Sequence, residues 1–312
     1  MDNKNLQQRL LERLIRTEAI QVRTAAEDAP FWYTSGRPGP FYINVEKIAG
    51  QNAVAAILEQ INQILVSSDS STVKAQQVWR LISNRLDADP EYREVMALLV
   101  DFYRSGTTSE PAFISGGERR DWFFSIPFSQ MLHVPHLFLL KKGGYWLLDS
   151  NGQPIVQAVS IANQEVLHVA DIINTASSYI RYWVPNLHEL NAQFKETLTV
   201  AVRNEEGVQA LEAKGVRVRT PLRMDLAVFA EAHRLNLINS FSFQDIELFL
   251  TSPADWTREL LRSSSTLLLN RFEQMPSLDQ SRMQSFVTAD PYQLQNDYRS
   301  FFEQAKNLAS HG

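Results

Sequence analysis

Apolar residues recur at helical spacing from the start of the chain. Leu6, Leu10, Leu11, Leu14 and Ile15 share one face of a charged segment, which predicts an amphipathic helix. Residues 31–50, "FWYTSGRPGPFYINVEKIAG", break that period with Gly and Pro and read as a turn feeding a strand over 41–45. Helical spacing returns over 52–66. Residues 68–105 read as a helical insertion. There "SSDSS" is a loop, and Val78, Leu81, Ile82 and Leu86 mark one helix face. Asp89-Pro90 is an N-cap followed by a first-turn proline.

The pattern then changes. "PAFIS", "HLFLLKK" and "TLTVAV" read as strands, and "GYWLLD" as a hairpin arm. "EVLHVADII" is a continuous apolar strand of the kind found in parallel sheets covered on both faces. Between them, "FFSIPFSQML", residues 177–190 and "GVQALEAKG" read as helices, with Pro185 as a kink or early stop and Gly215 closing the last. Strands alternating with helices predict an α/β fold with a largely parallel sheet flanked by helices. After Pro221 the strands stop. Residues 225–235, 242–251, 253–272 and 291–308 read as helices, with Ser252-Pro253 and Asp290-Pro291 as N-cap starts. The expected division is an α/β domain over 1–220, carrying the insertion, and a helical C-terminal region over 221–312.

Composition narrows the function. The net charge is −5, which gives a general nucleic-acid role no support. There are no cysteines, so disulfides, thiol nucleophiles and thiolate metal sites are all excluded. The N-terminus has no apolar signal core, and no apolar run approaches the ~20 residues of a membrane helix. A cytoplasmic protein without membrane attachment is expected.

The chemistry concentrates in residues 166–178, "VLHVADIINTASS". An apolar strand ends in an acid and a small polar turn, and a helix follows. Ligands bind at such carboxyl edges, and the amides of the turn and helix start attract phosphate. Asp171 is placed to hold ribose hydroxyls. Asn174, Thr175, Ala176, Ser177 and Ser178 form the phosphate turn. The other reading is a plain strand-to-helix turn in which Ser177 caps the helix. A second candidate is "GGERRDW", where Arg119 and Arg120 could take phosphate as bidentate donors with Lys141 nearby. Its alternative is a solvated loop of internal ion pairs. His133 and His136, separated by Val-Pro, read as turn and core residues rather than metal ligands. His168 reads as a core histidine, Glu205-Glu206 as a solvated turn, and Trp79, Trp183 and Trp256 as packing residues. No metal site is expected from these residues.

Taken in order, these stretches resemble the type I phosphoribosyltransferases, most of all the orotate-using branch. "SGRPGPFYIN" resembles the N-terminal motif, "ISGGERRDWFFSIPFSQML" the pyrophosphate loop and its helix, and "VPHLFLLKK" the strand before the catalytic loop. "VLHVADIINTASS" aligns on the phosphoribosyl-pyrophosphate motif, and "AVRNEEGVQALEAKGV" resembles the next strand and helix. The resemblance covers roughly 30–66 and 110–220. It implies a phosphoribosyltransferase-type fold, a phosphorylated ribose or nucleotide ligand, magnesium if phosphoribosyl pyrophosphate is bound, and a homodimer to which the aromatics of "GGYWLL" could contribute.

The departures from the family pattern are chemical. Only Asp171 remains of two expected acids, because residue 170 is Ala. Ala176 stands at a glycine position, Thr34 where a lysine is common and Leu140-Lys141 where arginine-lysine is expected, and the arginine on the orotate side has no secure match, with Asn204 in its place and Arg203 one position off. The loop after Lys142 lacks its histidine. Displacing pyrophosphate depends on preorganised charge, and removal of one such donor can cost on the order of 10²–10³ in rate. Loss of charge with retention of the apolar scaffold therefore predicts a catalytically degenerate relative that binds a phosphoribosyl or nucleotide ligand in a regulatory or partner-binding role. The alternatives are an active transferase, for which the resemblance implies Asp171, Lys141 and Arg119 as catalytic groups, and an interaction protein with an empty pocket that works through its C-terminal helices.

Overall fold

The computed structural model describes residues 3–107, 109–155 and 159–308. The chain forms two compact units, one of residues 1–19 and 44–224, the other of 20–43 and 225–312. The segment 20–43 thus packs with the C-terminal helices, whereas the sequence division had placed it with the α/β part.

The first unit is built on a seven-stranded sheet. Its order is Arg217–Arg219, Gln193–Val202, Glu165–Ile173, Phe113–Gly117, His136–Leu139 and Tyr145–Leu148, and Leu222–Arg223 also pairs with Gln193–Val202. Every pairing is parallel except that of Tyr145–Leu148, the expected hairpin arm, which runs antiparallel to His136–Leu139. Glu165–Ile173 is central in the sheet, and its run Val166–Ala170 is buried, as expected of a strand covered on both faces. One face meets Tyr179, Trp183 and Leu187 of the following helix, together with Val208 and Leu211. Helix Trp122–Leu132 packs elsewhere against the sheet, where the Trp122 ring lies 5.5 Å from Phe138 and 6.1 Å from Trp146. Trp146 is therefore buried within its own unit, and the exposed aromatic patch expected at "GGYWLL" reduces to Tyr145. The insertion forms helices Ser71–Ala88 and Pro90–Ser105, and Asp89 caps the second through the amides of Glu91 and Tyr92.

Some buried polar groups in this unit are paired with one another. His136 is fully buried, with Nε2 2.8 Å from Ser125 Oγ and its ring 4.3 Å from that of Phe138. Burial lowers its pKa to about 3, and the nearby His168 adds to the shift. The unfolded imidazole takes a proton below about pH 6.5, whereas the folded one stays neutral until about 3. Stability from this group is therefore complete above pH 6.5 and declines as the pH falls, by about 2 kcal/mol at pH 5. Chemical denaturation of the parent and His136→Gln between pH 7 and 5 checks this: the variant is expected to lose that acid slope, and equal slopes would contradict it.

The second unit joins the paired strands Phe31–Trp32 and Pro38–Gly39 to the C-terminal helices. Tyr33, Phe41, Phe229 and Phe249 form one ring cluster, and Trp32 packs with Trp256, Phe286 and Phe302. Buried Arg23 pairs with Asp245 at 2.8 Å, and Asp245 also accepts from Trp256 Nε1 at 2.7 Å. The expected helix start at Asp290-Pro291 is not observed. Asp290 instead ends helix Ser277–Ala289 in a left-handed conformation (φ 39°), its carboxylate accepts from the amides of Leu294 and Gln295, and the last helix is Arg299–Leu308. No helix among the described residues is long and apolar enough to cross a membrane.

Candidate functional site

Loops leave the carboxyl ends of the adjacent parallel strands after Gly117, Leu139, Ile173 and Val202. Open α/β sheets bind ligands at this edge. The residues expected from the sequence lie here, all within the first unit.

The turn after Ile173 is the most open part. Asn174, Thr175, Ser177 and Ser178 are exposed, and none of their side chains has a hydrogen-bond partner among the described residues. Ser177 does not cap the helix that it opens. That helix covers 177–189, with a π-helical turn at Tyr179–Trp183 before Val184–Glu189. Pro185 lies just beyond this wider turn, so it neither ends nor breaks the helix. Ala176 adopts φ 53°, the left-handed conformation that costs a side-chain-bearing residue about 1–2 kcal/mol. Its methyl is buried among Ile173, Tyr179 and Val208, which offsets part of that cost. The turn rests on helix Glu205–Glu212, where Gly207 faces the Asn174 peptide.

The loop after Gly117 is anchored by Asp121. Its Oδ2 accepts from the Gly117 amide at 3.1 Å and lies 3.4 Å from His168 Nε2, while Oδ1 accepts from the Asp171 amide at 3.4 Å. His168 Nδ1 is 3.0 Å from Ser115 Oγ. Gly117 has no room for a side chain, because a Cβ there would enter the Trp183 ring and come within 2.6 Å of Asp121 Oδ2. Arg120, expected to meet phosphate, is engaged by Glu46, with Nε 2.9 Å from Oε1. The Glu118 carboxylate accepts from the Lys141 amide at 3.1 Å. Arg119, Lys141 and Lys142 make no ion pair among the described residues.

Asp171 is half-buried at the centre of this edge. Removal from water raises its pKa well above the usual carboxylate range, and the charges of Asp121 and Glu46 push the same way. A carboxyl group whose protonated form is favoured is suited both to donate to and to accept from ribose hydroxyls, and it repels a nearby phosphate less. Glu46 is raised chiefly by burial, against the opposing pull of Arg120.

Magnesium, implied if phosphoribosyl pyrophosphate is the ligand, is not matched by these donors. Both Asp121 oxygens and Oδ1 of Asp171 already accept backbone amides, the last from Ile172 at 2.5 Å. Among the described residues no three His, Asp or Glu side chains gather as a metal-binding group. His133 is an exposed helix end with φ 58° and His136 is buried, in keeping with turn and core roles. The sequence reading did not reach Glu46 or Gly207 and left Asp121 without a role. Asp121 carried a signal, as an acid closing a Gly-Gly loop; Glu46 carried none.

No protein-family model matches the chain. It is 24% identical over 251 residues to the orotate phosphoribosyltransferase of Cereibacter sphaeroides, covering 78% of this chain and 86% of that protein. Among solved structures, the UMP synthase of Leishmania donovani matches with a TM-score of 0.49 at 13% identity, over 78% of this chain. The chain spans only 41% of that larger protein. The orotate phosphoribosyltransferase of Francisella tularensis matches with a TM-score of 0.47 at 12% identity, over 76% of this chain and 95% of that one. In its ordered motifs, and in sequence over most of its length, the chain is thus similar to orotate phosphoribosyltransferase.

Proposed function

We propose that this protein is an orotate phosphoribosyltransferase-like binder of a phosphorylated ribose or nucleoside monophosphate, with little or no transferase activity. The observation that carries this reading is the turn 174–178. Four exposed polar side chains there have no partner within the described chain, at the start of a helix and beside Asp171, whose protonated form burial favours. Phosphate on the turn would use backbone amides and hydroxyls and needs no lysine or arginine. Asp171 would hold the ribose hydroxyls. Weak catalysis is supported by Thr34, Leu140, Ala170 and Asn204 at positions where the family carries charge, and by the pairing of Arg120 with Glu46.

On the same reading the ligand tunes a regulatory or partner contact, with a homodimer through the α/β unit and a protein partner on the C-terminal helices. Titration calorimetry with ribose 5-phosphate, nucleoside monophosphates and phosphoribosyl pyrophosphate with magnesium tests it. Binding of a monophosphate is expected. Binding of none of these would defeat the reading, and orotidine monophosphate formation at ordinary enzyme rates, ~1–10³ per second, would defeat the claim of weak catalysis.

A further inference from the structure

The pyrophosphate-loop arginine of this chain is already occupied. Arg120 is 60% exposed, whereas its partner Glu46 is 2% exposed, with 2.9 Å between Nε and Oε1. Glu46 sits in the 3-10 turn Val45–Ala49, and the amide of Asn44, in the orientation that satisfies it, donates to the same carboxylate. The carboxylate is thus the fixed partner and the arginine the solvent-facing one. Freeing Arg120 would leave a buried charge without its cation, which is strongly unfavourable. Asp121 stands beside the pair as a second acid, so the loop presents negative charge to any second phosphate.

We propose that Glu46 acts as a built-in occupant of the second anion position, making the site accept a monophosphate and refuse a diphosphate. The inference rests on the monophosphate reading above and adds the residue that sets its selectivity. An incoming diphosphate must break the Glu46–Arg120 ion pair or approach the Glu46 and Asp121 carboxylates with Arg120 already neutralised. A monophosphate over 174–178 meets neither obstacle.

The full-length chain would be titrated with ribose 5-phosphate and with inorganic pyrophosphate, without magnesium, at fixed low ionic strength and with pyrophosphate at millimolar levels. The parent is expected to bind ribose 5-phosphate at least ~tenfold more tightly than pyrophosphate. Glu46→Gln is expected to raise pyrophosphate affinity ~tenfold or more and leave ribose 5-phosphate within about twofold. Arg120→Ala is expected to change little in the parent and to erase the gain in the Glu46→Gln background. A folded Glu46→Gln variant with unchanged pyrophosphate affinity would overturn the proposal. So would a tenfold loss of pyrophosphate binding in Arg120→Ala alone, a result that does not depend on Glu46→Gln folding. Failure of the parent to bind ribose 5-phosphate would instead strike the monophosphate reading, while the pyrophosphate comparisons still decide the role of Glu46.

Discussion

Ser177→Asp is expected to abolish binding of ribose 5-phosphate and nucleoside monophosphates while leaving the protein folded. Ser177 is exposed, opens the helix over 177–189 and makes no side-chain hydrogen bond among the described residues, so the substitution breaks nothing inside the chain. A carboxylate there interacts favourably with the helix start, by about 0.3–1 kcal/mol, and should not lower the melting temperature. The same charge would stand where the proposed phosphate lies. Like charges at contact cost several kcal/mol, which corresponds to a loss of more than ~100-fold in affinity. Asp171→Asn should weaken binding less, because an amide still bonds to hydroxyls. The paired readout separates site from fold: unchanged melting with lost binding is expected. Parent-like affinity in folded Ser177→Asp would place the ligand elsewhere.

Gly207→Ala should damage both stability and binding, although on helix propensity alone it would help. Alanine in place of glycine inside helix Glu205–Glu212 is worth about 1 kcal/mol. The added Cβ, however, would collide with the Asn174 carbonyl oxygen, lie 2.8 Å from Ile173 Cγ2 and 3.0 Å from the Asn174 carbonyl carbon. These atoms belong to the end of a central strand and to the turn, so backbone must move. Overpacking of this kind costs about 1–3 kcal/mol, which outweighs the propensity gain. The displaced peptide is the first of the turn proposed to hold phosphate, so on that proposal ribose 5-phosphate affinity should fall by roughly tenfold or more as the amides lose their aim. Thermal melting and calorimetry on one sample check both effects. A more stable variant with intact affinity would show that the turn does not depend on this contact.

How much of this could be read from the chain depended on whether the determining contacts were local. Glu165–Ile173 has the limits expected of "EVLHVADII", because a central parallel strand records its burial in an unbroken apolar run. Ala176 stands where the resembled motif has glycine and nonetheless adopts a left-handed φ of 53°, so the sequence alone did not settle its backbone. Asp290-Pro291 misled because the same dipeptide serves either helix end. Only the approach of Leu294 and Gln295 amides to the carboxylate identifies it as a stop. Glu46 was invisible for a different reason: its partner Arg120 lies far along the chain, and a buried glutamate inside "NVEKIAG" looks like any turn acid. The grouping of residues 20–43 with the C-terminal helices likewise arises from aromatic contacts of very long sequence separation, such as Phe41 with Phe229.

That grouping has a consequence during synthesis. Trp32, Tyr33 and Phe41 leave the ribosome early, yet Phe229, Phe249, Trp256 and Phe286, on which they pack, are made near the end. At ~5–20 residues per second the early aromatics wait roughly 10–40 s for their partners. Through that interval the nascent chain carries an adhesive apolar hairpin with nothing native to cover it, so this short segment, rather than the large sheet, is where a holdase chaperone would be expected to grip.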